Sequence, residues 1–265
     1  MGPLAAGRYS VIMTQCRISS GSLIMKSKLQ VARAAPVNFR TRTGQARRAR
    51  TRSKILAAAF ELFDKSGVDR VTVEDVRERA GLARGSFYNY FLTYEEMLKA
   101  LAADIARQIN SEQSERFESV PNMAERIWSN VRYAILRAAS DRSCTEILVR
   151  ITPLVGPLNE EMRVHAERTV RTSVKSKAID VPSAGVALDL GLGLATMMWQ
   201  RALKSRIQAK ELEAAGLMLM RAYGVPEVEA RRISRLPLPQ LPDVPLRAAI
   251  INHFGMDQFE QGSVG

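Results

Sequence analysis

Arginine and lysine side chains are concentrated at one end of this sequence, where they could bind a polyanion. The first 54 residues contain twelve Lys or Arg and no Asp or Glu, whereas the rest of the chain carries 27 of each sign. The net charge of +12 therefore comes entirely from this stretch. Cationic groups gathered in this way attract phosphates. Such a stretch is also found as a solvated, disordered tail without a ligand, so the charge alone leaves both interpretations open.

The remaining side chains offer little for catalysis or metal binding. Cys16, Cys144, His165 and His253 are the only thiol and imidazole groups, and their spacing predicts neither a disulfide framework nor a zinc site. With no nucleophile elbow or phosphate-binding loop, we expect no enzymatic activity, no cofactor and no metal. The longest strongly apolar run, 190–199, is about half of what a bilayer requires. We therefore expect a cytoplasmic protein with no membrane partner and no signal peptide.

Apolar residues recur with helical periodicity from residue 55 onward, which predicts an all-α fold without strands. The first predicted helix has apolar residues at i, i+3, i+4, i+7 and i+8, namely Ile55, Ala58, Ala59, Leu62 and Phe63. Gly67 follows where a left-handed C-terminal cap is expected. Residues 72–75 and 93–96 have the form of capping boxes, which open the second and fourth helices. A turn at 81–83 precedes a short third helix over residues 84–90.

Proline and glycine positions divide the chain. Further helices are predicted after Pro121, with one ending at Thr152, and long helices are predicted near the C-terminal end at 183–205 and 208–223. We predict a disordered basic arm at 1–44, a helix-turn-helix domain at 45–99, a helical bundle domain at 100–224 and a Pro-rich, mostly extended tail at 225–265. A short apolar patch at 250–259 could dock back on the bundle. Translation could also start at Met13 or Met25 rather than Met1.

The short second and third helices and the turn between them form a unit that can read DNA. The second helix of such a unit can enter a major groove while the first braces it on the backbone. Similar pairs of short helices are common in all-helical proteins, but the adjacent basic stretch favours DNA binding here.

Four segments of this unit carry a specific residue pattern. They are ILAAAFELF at 55–63, Gly67, VTVEDVRERAGLARGSFYNYF at 71–91, and EEML at 95–98. The pattern closely resembles the N-terminal DNA-binding domain of the TetR family of bacterial transcriptional regulators. It covers about a fifth of the chain, and the remainder is similar to the family only in the number and length of its helices.

The resemblance implies that residues of the third helix contact double-stranded DNA. Arg84, Gly85 and Ser86 match the start of the recognition helix, where Arg84 could read a guanine and Gly85 allows close approach to the duplex. Tyr88 matches a tyrosine that contacts phosphate in the family. Asn89 matches a variable position that is often used for base or phosphate contact.

Neighbouring residues complete the implied DNA-binding surface, with two departures from the family pattern. Thr72 lies where a helix N-terminus can hold a phosphate, and Phe87 and Phe91 are expected to pack inward. Ala83 stands where the family commonly has a capping Ser or Thr, at a cost of about 1 kcal/mol. Tyr94 replaces a phosphate-binding Lys and is expected to donate from its hydroxyl instead. An arm preceding the first helix could reach the minor groove or backbone through Arg47, Arg48, Arg50 and Arg52.

The resemblance also implies a bacterial protein that is associated with the nucleoid when bound to DNA, and it implies a homodimer and a ligand pocket. The helices at 183–205 and 208–223 would form the dimer interface, where small residues allow close approach: Ala187, Gly191, Gly193 and Ala195. The helices between them and the DNA-binding domain would enclose a pocket for a small apolar effector, aromatic, lipid-like or acyl. The pocket candidates are Trp128, Tyr133, Met162 and Met198, although each is also a typical core residue. Arg132 or Arg137 could pair with a ligand carboxylate if it pointed inward, but both are expected to be solvated.

These inferences predict a sequence-specific transcriptional regulator, a dimeric repressor that a small apolar effector releases from a pseudo-palindromic operator. The alternative is a helical interaction protein that binds a protein partner without a small-molecule effector. A monomer with a closed interior would favour that alternative.

Overall fold

A computed structural model describes residues 39–155, 160–237 and 239–260, with side chains for 44–152, 163, 166–237 and 239–253. Its helices are α1 (Phe39–Ser66), α2 (Val73–Arg79), α3 (Tyr94–Phe117), α4 (Met123–Ala139), α5 (Arg142–Val155), α6 (Glu160–Lys175), α7 (Ala184–Ala202), α8 (Ala209–Ala222), α9 (Glu227–Ser234) and α10 (Leu246–Glu260). Short 3₁₀ turns lie at Val68–Arg70 and Phe87–Asn89. No strand occurs in these stretches, and the predicted all-α fold is confirmed.

Helix α1 begins sixteen residues before the apolar pattern that predicted it. Residues 39–44 are helical, so the predicted disordered arm is wrong for this part, and residues 1–38 lie outside the described residues. The segment 45–54 is rich in Ala, Arg, Gln and Lys, which are good helix formers. The helix therefore extends from its buried half, 55–63, into a half that is largely exposed. The predicted arginines lie on a helix rather than on a flexible arm.

Capping and burial form the helix-turn-helix region as predicted. The Thr72 side chain accepts a hydrogen bond from the backbone N–H of Asp75, and the Asp75 carboxylate accepts one from the backbone N–H of Thr72, which completes the capping box. Gly67 has φ +80°, a backbone conformation that favours glycine, although its ψ of 155° lies outside the left-handed helical region that was expected of a cap. The core of this region continues into the rest of the protein, because Phe60 and Phe87 belong to the same buried cluster as Ile147 of α5. The predicted domain boundary at 99–100 falls inside α3, which is continuous there.

The segment after Gly224 is not mostly extended, and this prediction is wrong for α9 and α10. Ala230 and Ile233 of α9 and Leu246 and Ile250 of α10 are buried, at the i, i+3 and i, i+4 spacings of a helical face. The prolines at 237, 239, 242 and 245 are confined to the connection between the two helices. They lie after α9 and before α10 and interrupt neither helix, since proline is tolerated immediately before a helix begins. Helix α10 packs against α1, α3 and α5.

Two buried arginines of α4 hold this C-terminal connection. Arg132 donates to the carbonyl of Leu236 (2.6 Å), and Arg137 donates to that of Val244 (3.0 Å). Arg137 also forms a bidentate ion pair with Glu112 of α3, at 2.8 and 3.0 Å. The expectation that both arginines are solvated is therefore wrong, because their partners lie on segments distant in sequence. Neither arginine is available to a ligand carboxylate.

Glu112 is the centre of this network. Burial opposes its ionisation, but hydrogen bonds from Arg137, Tyr133 and Gln108 outweigh that effect and hold the pKa of Glu112 below its ordinary value. The Tyr133 hydroxyl donates to Glu112 (2.6 Å). Burial and the adjacent carboxylate raise the pKa of Tyr133 to about 12. Glu112 thus remains a charged acceptor that joins α3 to α4.

Candidate nucleic-acid interface and interior cavity

The recognition helix predicted over 84–90 is only partly formed. Its second half contains a 3₁₀ turn, Phe87–Asn89, and the prediction of a helix is wrong for its first half. Gly85 has φ +88°, which an α-helix cannot contain. Ala83 has no side-chain group to cap a helix beginning at residue 84. Phe87 and Phe91 are buried as predicted and fix the turn on the core. These two side chains therefore anchor the turn to the core, while its outer face is exposed to solvent.

The predicted base-reading residues lie together on that outer face. Arg84, Gly85 and Asn89 are exposed and Ser86 is half-buried. Tyr88 is 55% exposed, with its ring edge against Phe87. An added Cβ at Gly85 would meet nothing within 4 Å, so the backbone is open to an approaching surface. These side chains can offer hydrogen-bond donors to phosphate oxygens and base edges.

The basic half of α1 is connected directly to this turn. Arg48 donates from Nη2 to the backbone carbonyl of Asn89 (3.2 Å), and the Arg52 guanidinium lies 5.4 Å from the centre of the Phe91 ring. Arg47 and Arg50 are exposed. Among the described acidic residues, none forms an ion pair with any of these four arginines. The result is one cationic surface made of α1 and the turn, defined here as the basic face.

Two predicted phosphate contacts are not supported by the geometry. The Thr72 hydroxyl donates to the Asp75 carboxylate (2.6 Å), and that carboxylate also accepts from the Thr72 backbone (2.8 Å). The Tyr94 hydroxyl donates to the carbonyl of Val68 (2.7 Å), and burial raises the pKa of Tyr94 to about 12. A phenol has a single proton to donate. Tyr94 is therefore committed to the protein, and its predicted role in binding phosphate is wrong.

A cavity of about 350 Å³ lies within the helices C-terminal to this region. Its walls come from α3 to α7 and from Tyr223, which follows α8. Phe117 and Trp199 contribute aromatic surface, and Leu148 is among the aliphatic residues. Asn130 of α4 and Gln113 of α3 bring amide groups to the lining. The arrangement is that of a ligand pocket, apolar with a few placed polar groups.

Three of the four predicted pocket residues do not line this cavity. Trp128 packs against α8, where a Cβ added at Gly216 would lie 2.5 Å from its ring. Tyr133 is committed to Glu112, and Met198 is a buried core residue. The side chain of Met162 lies outside the described residues. Three of the four candidates are thus wrong, because an aromatic or sulfur side chain on a buried helix face fills the core far more often than it faces a ligand.

Sequence reasoning missed the residues that do line the cavity. The signal available was polar residues on otherwise apolar faces: Gln113 lies four residues after Ile109 on α3, and Asn130 lies between Ile127 and Ala134 on α4. A polar residue within a helix's inward stripe is costly unless it has a partner, so it marks a network or a pocket. Trp199 carried no such signal, since its ring is equally typical of core.

Helices α7 and α8 present an apolar surface to solvent. Val186, Leu190 and Met197 of α7 are 67, 47 and 52% exposed, and Met218 of α8 is 63% exposed. The spacing of the α7 residues places them on one face together with Gly193, where an added Cβ would meet nothing within 4 Å. Contiguous exposed apolar residues of this kind mark interaction surfaces.

No helix in the described stretches has the length and apolarity needed to cross a membrane. No three His, Cys, Asp or Glu side chains converge there so as to hold a metal ion. Burial raises the pKa of the Cys144 thiol well above its ordinary value, which leaves it a poor nucleophile.

A family model and a curated relative both identify bacterial transcriptional regulators as similar to this chain. Residues 55–101 match the model of a family described as bacterial regulatory proteins, tetR family. The chain is 33% identical over 103 residues to TtgW of Pseudomonas putida, an uncharacterised HTH-type transcriptional regulator, of which it covers 72%. That alignment uses 37% of this chain.

Two other curated relatives align over shorter stretches of this chain. YvdT of Bacillus subtilis, an uncharacterised HTH-type transcriptional regulator, is 36% identical over 52 residues, which are 20% of this chain and 27% of YvdT. TtgR of Pseudomonas putida is 43% identical over 51 residues, which are 19% of this chain and 24% of TtgR. The chain thus spans about a quarter of the length of these two relatives.

Solved structures with a similar fold cover more of this chain than the curated relatives do. RolR in complex with resorcinol matches with a TM-score of 0.60 at 23% identity, covering 74% of this chain and 98% of RolR. RolR without ligand matches with a TM-score of 0.57 at 22% identity, covering 71% and 99%. At this identity the comparison shows a shared fold, an N-terminal helix-turn-helix followed by a helical domain.

Proposed function

The chain belongs to the TetR family of bacterial transcriptional regulators, and from that premise we propose that it is a dimeric repressor that leaves its operator when a small effector occupies the interior cavity. The observation that carries the proposal is the basic face. Arg48 joins the cationic half of α1 to the turn that presents Arg84 and Tyr88. A surface with free cations and exposed polar groups on a rigid support suits a duplex better than a protein partner.

Within this surface we expect two kinds of contact with DNA, one to phosphates and one to base edges. Arg47, Arg48 and Arg50 would bind phosphates, which gives affinity without sequence preference. Arg84 and Asn89 on the turn would reach base edges, since a guanidinium can donate two hydrogen bonds to a guanine. Tyr88 would donate to a phosphate and fix the register of the turn.

Dimerisation would place two such turns on one operator. The exposed apolar residues of α7 and α8 support an interface there, because covering Val186, Leu190 and Met197 removes apolar surface from water. Two recognition turns about 34 Å apart would then match successive major grooves of a pseudo-palindromic site.

Control by an effector would use the cavity. RolR, which shares this fold, has been solved with resorcinol, and by analogy we propose a small ligand between the helices of this chain. Helix α3 joins the two functions, because it begins beside the turn and ends at the cavity wall. A ligand that binds better to one arrangement of α3 than to the other would shift the protein toward that arrangement and change its affinity for the operator.

A mobility-shift titration tests the proposal. The full chain is titrated with duplex DNA from upstream of its own gene and with a scrambled duplex of equal length, at about 50 and about 200 mM salt. We expect the upstream DNA to bind at least a thousandfold more tightly, and Arg84→Ala to reduce that preference. Equal affinity for the two duplexes, or a monomer in sedimentation velocity, would overturn the proposal.

A further inference from the structure

Helix α10 joins α1 to the helical bundle. It packs against α1, α3 and α5, and its residues Leu246 and Ile250 are buried. Both belong to the same apolar cluster as Ile55 and Phe60 of α1 and Leu101 of α3. The last described helix therefore takes part in holding α1, whose N-terminal half carries the basic face.

The bundle fixes the start of α10 through Asp141, which lies between α4 and α5. The side chain of Asp141 is fully buried, and its carboxylate accepts from the backbone N–H of Arg247 (3.1 Å) and from the Arg247 guanidinium (3.2 Å). It also accepts from the hydroxyl of Ser143 at the start of α5 (2.8 Å). Arg137 of α4 holds the preceding connection at Val244. Because a buried carboxylate depends on charged and hydrogen-bonding partners, these contacts hold Arg247 in place from the bundle side.

The Arg247 guanidinium reaches α1 from this position. Its Nη1 atom lies 3.0 Å from Oδ1 of Asp64, whose side chain is 47% exposed. Asp64 lies near the C-terminal end of α1, which is continuous from Phe39 to Ser66. Arg48 of the basic face lies about 24 Å away along the same helix, at about 1.5 Å per residue. A tilt of α1 by about 5° at the Asp64 end would move Arg48 by about 2 Å, which is enough to break a hydrogen bond to DNA.

On the basis of the proposed function, we infer that Arg247 is a positioning residue for operator binding: it joins Asp64 of α1 to Asp141 of the bundle and thereby fixes the orientation of the basic face. Operator recognition depends on that orientation more than binding to other DNA does. The two copies must place their recognition turns on successive grooves together, whereas the phosphates of any duplex can be reached from several orientations. Loosening the contact should therefore reduce the preference for the operator rather than the general attraction to DNA.

Asp64→Asn tests the inference, because it removes the α1 end of the contact and leaves Arg247 with Asp141. The full chain is titrated with operator and scrambled duplex in mobility shifts at about 200 mM salt. We expect the preference for the operator to fall about three- to fivefold, the effect of one partly exposed ion pair. The effect is limited because α10 keeps its apolar contacts and the Val68 N–H still donates to Glu146 of α5 (3.2 Å). Asp64→Glu keeps the carboxylate and should keep most of the preference.

Two further variants separate positioning from charge and from stability. Asp64→Asn removes a negative charge, so electrostatics alone predicts that both duplexes bind at least as tightly as before. Glu167→Gln removes the same charge from an exposed pair with Arg171 on α6 and should keep the wild-type preference. In the background of Arg247→Met, Asp64→Asn should change the preference by less than about twofold, since the contact is already absent. The preference is a ratio of two affinities of one sample, so a fraction of unfolded protein does not alter it.

The outcomes separate this inference from the proposed function. A wild-type preference in Asp64→Asn overturns the role of Arg247 and leaves the proposed function in place. An equal loss of preference in Glu167→Gln assigns the effect to net charge and also overturns it, as does an undiminished effect of Asp64→Asn in the background of Arg247→Met. Equal binding of the two duplexes by the wild type overturns the proposed function, and the positioning role with it.

Discussion

Two groups of arginines in this protein have opposite surroundings. Arg47, Arg48 and Arg50 on α1 are exposed, and the described acidic residues form no ion pair with them. Arg132 and Arg137 on α4 are 4 and 1% exposed and donate to carbonyl groups of the C-terminal connection. The guanidinium groups thus remain exposed to solvent in one region and are buried against the protein's own carbonyl groups in the other.

The difference shows that partners, rather than residue type, decide what an arginine does. An exposed guanidinium keeps its hydration and can exchange it for phosphates. A buried one has lost that hydration, so its internal hydrogen bonds must replace it. Substitutions in the two groups should therefore affect different properties, unfolding for α4 and DNA affinity for α1.

The largest effect is expected from Arg137→Met. The substitution leaves Glu112 buried without its cation and the carbonyl of Val244 without its donor. We expect the free energy of unfolding, measured by urea titration, to fall by about 3–5 kcal/mol. The matched change Arg171→Met breaks an exposed pair with Glu167 on α6 and should cost about 0.5 kcal/mol or less. Equal losses in the two variants would contradict the distinction between buried and exposed arginines.

A smaller effect, with a defined pH window, is expected from Glu112→Gln. Because the folded pKa of Glu112 is lowered, its ionised form stabilises the fold above the ordinary glutamate pKa of about 4.3. That contribution is lost as the pH falls through the lowered folded value. The difference in unfolding free energy between wild type and Glu112→Gln should therefore be largest near pH 6 and shrink toward pH 3. A difference that stays constant over this range would show that Glu112 does not act as a charged partner.

Local sequence patterns predicted much of the fold because their causes are local. The capping box at Thr72, the side-chain cap at Thr93 and the positive φ of Gly67 each depend on residues within one helical turn, and the structure contains all three. The reciprocal bond of a capping box is formed at Thr72 but not at Thr93, where the Glu96 carboxylate accepts from the backbone N–H of Leu92 instead. The start of α1 was placed too late because exposed helix has no apolar period to reveal it. In the recognition turn, Ala83 and Gly85 disfavour a helix that begins at residue 84, whereas the resemblance to the family predicts one.

Features that depend on distant partners could not be predicted in this way. Arg137 pairs with Glu112 across 25 residues and with Val244 across 107, and no local pattern records either contact. The same applies to the cavity, whose walls come from the five helices α3 to α7 and from Tyr223. Helical periodicity identifies which faces point inward but not where the packing is incomplete, so it does not distinguish core residues such as Trp128 and Met198 from cavity residues such as Asn130 and Trp199.

The smallest effect on stability, and a specific effect on DNA, is expected from Arg50→Ala. The side chain is exposed, so the free energy of unfolding should change by about 0.5 kcal/mol or less. Loss of one phosphate contact should weaken binding to operator and scrambled duplex alike and reduce the slope of log affinity against log salt by about 1. Arg171→Ala removes an equally exposed cation from α6 and should leave the slope unchanged. If both variants change the slope equally, the net charge of the protein rather than the basic face governs DNA binding. If neither does, α1 is a support for the turn and not a contact.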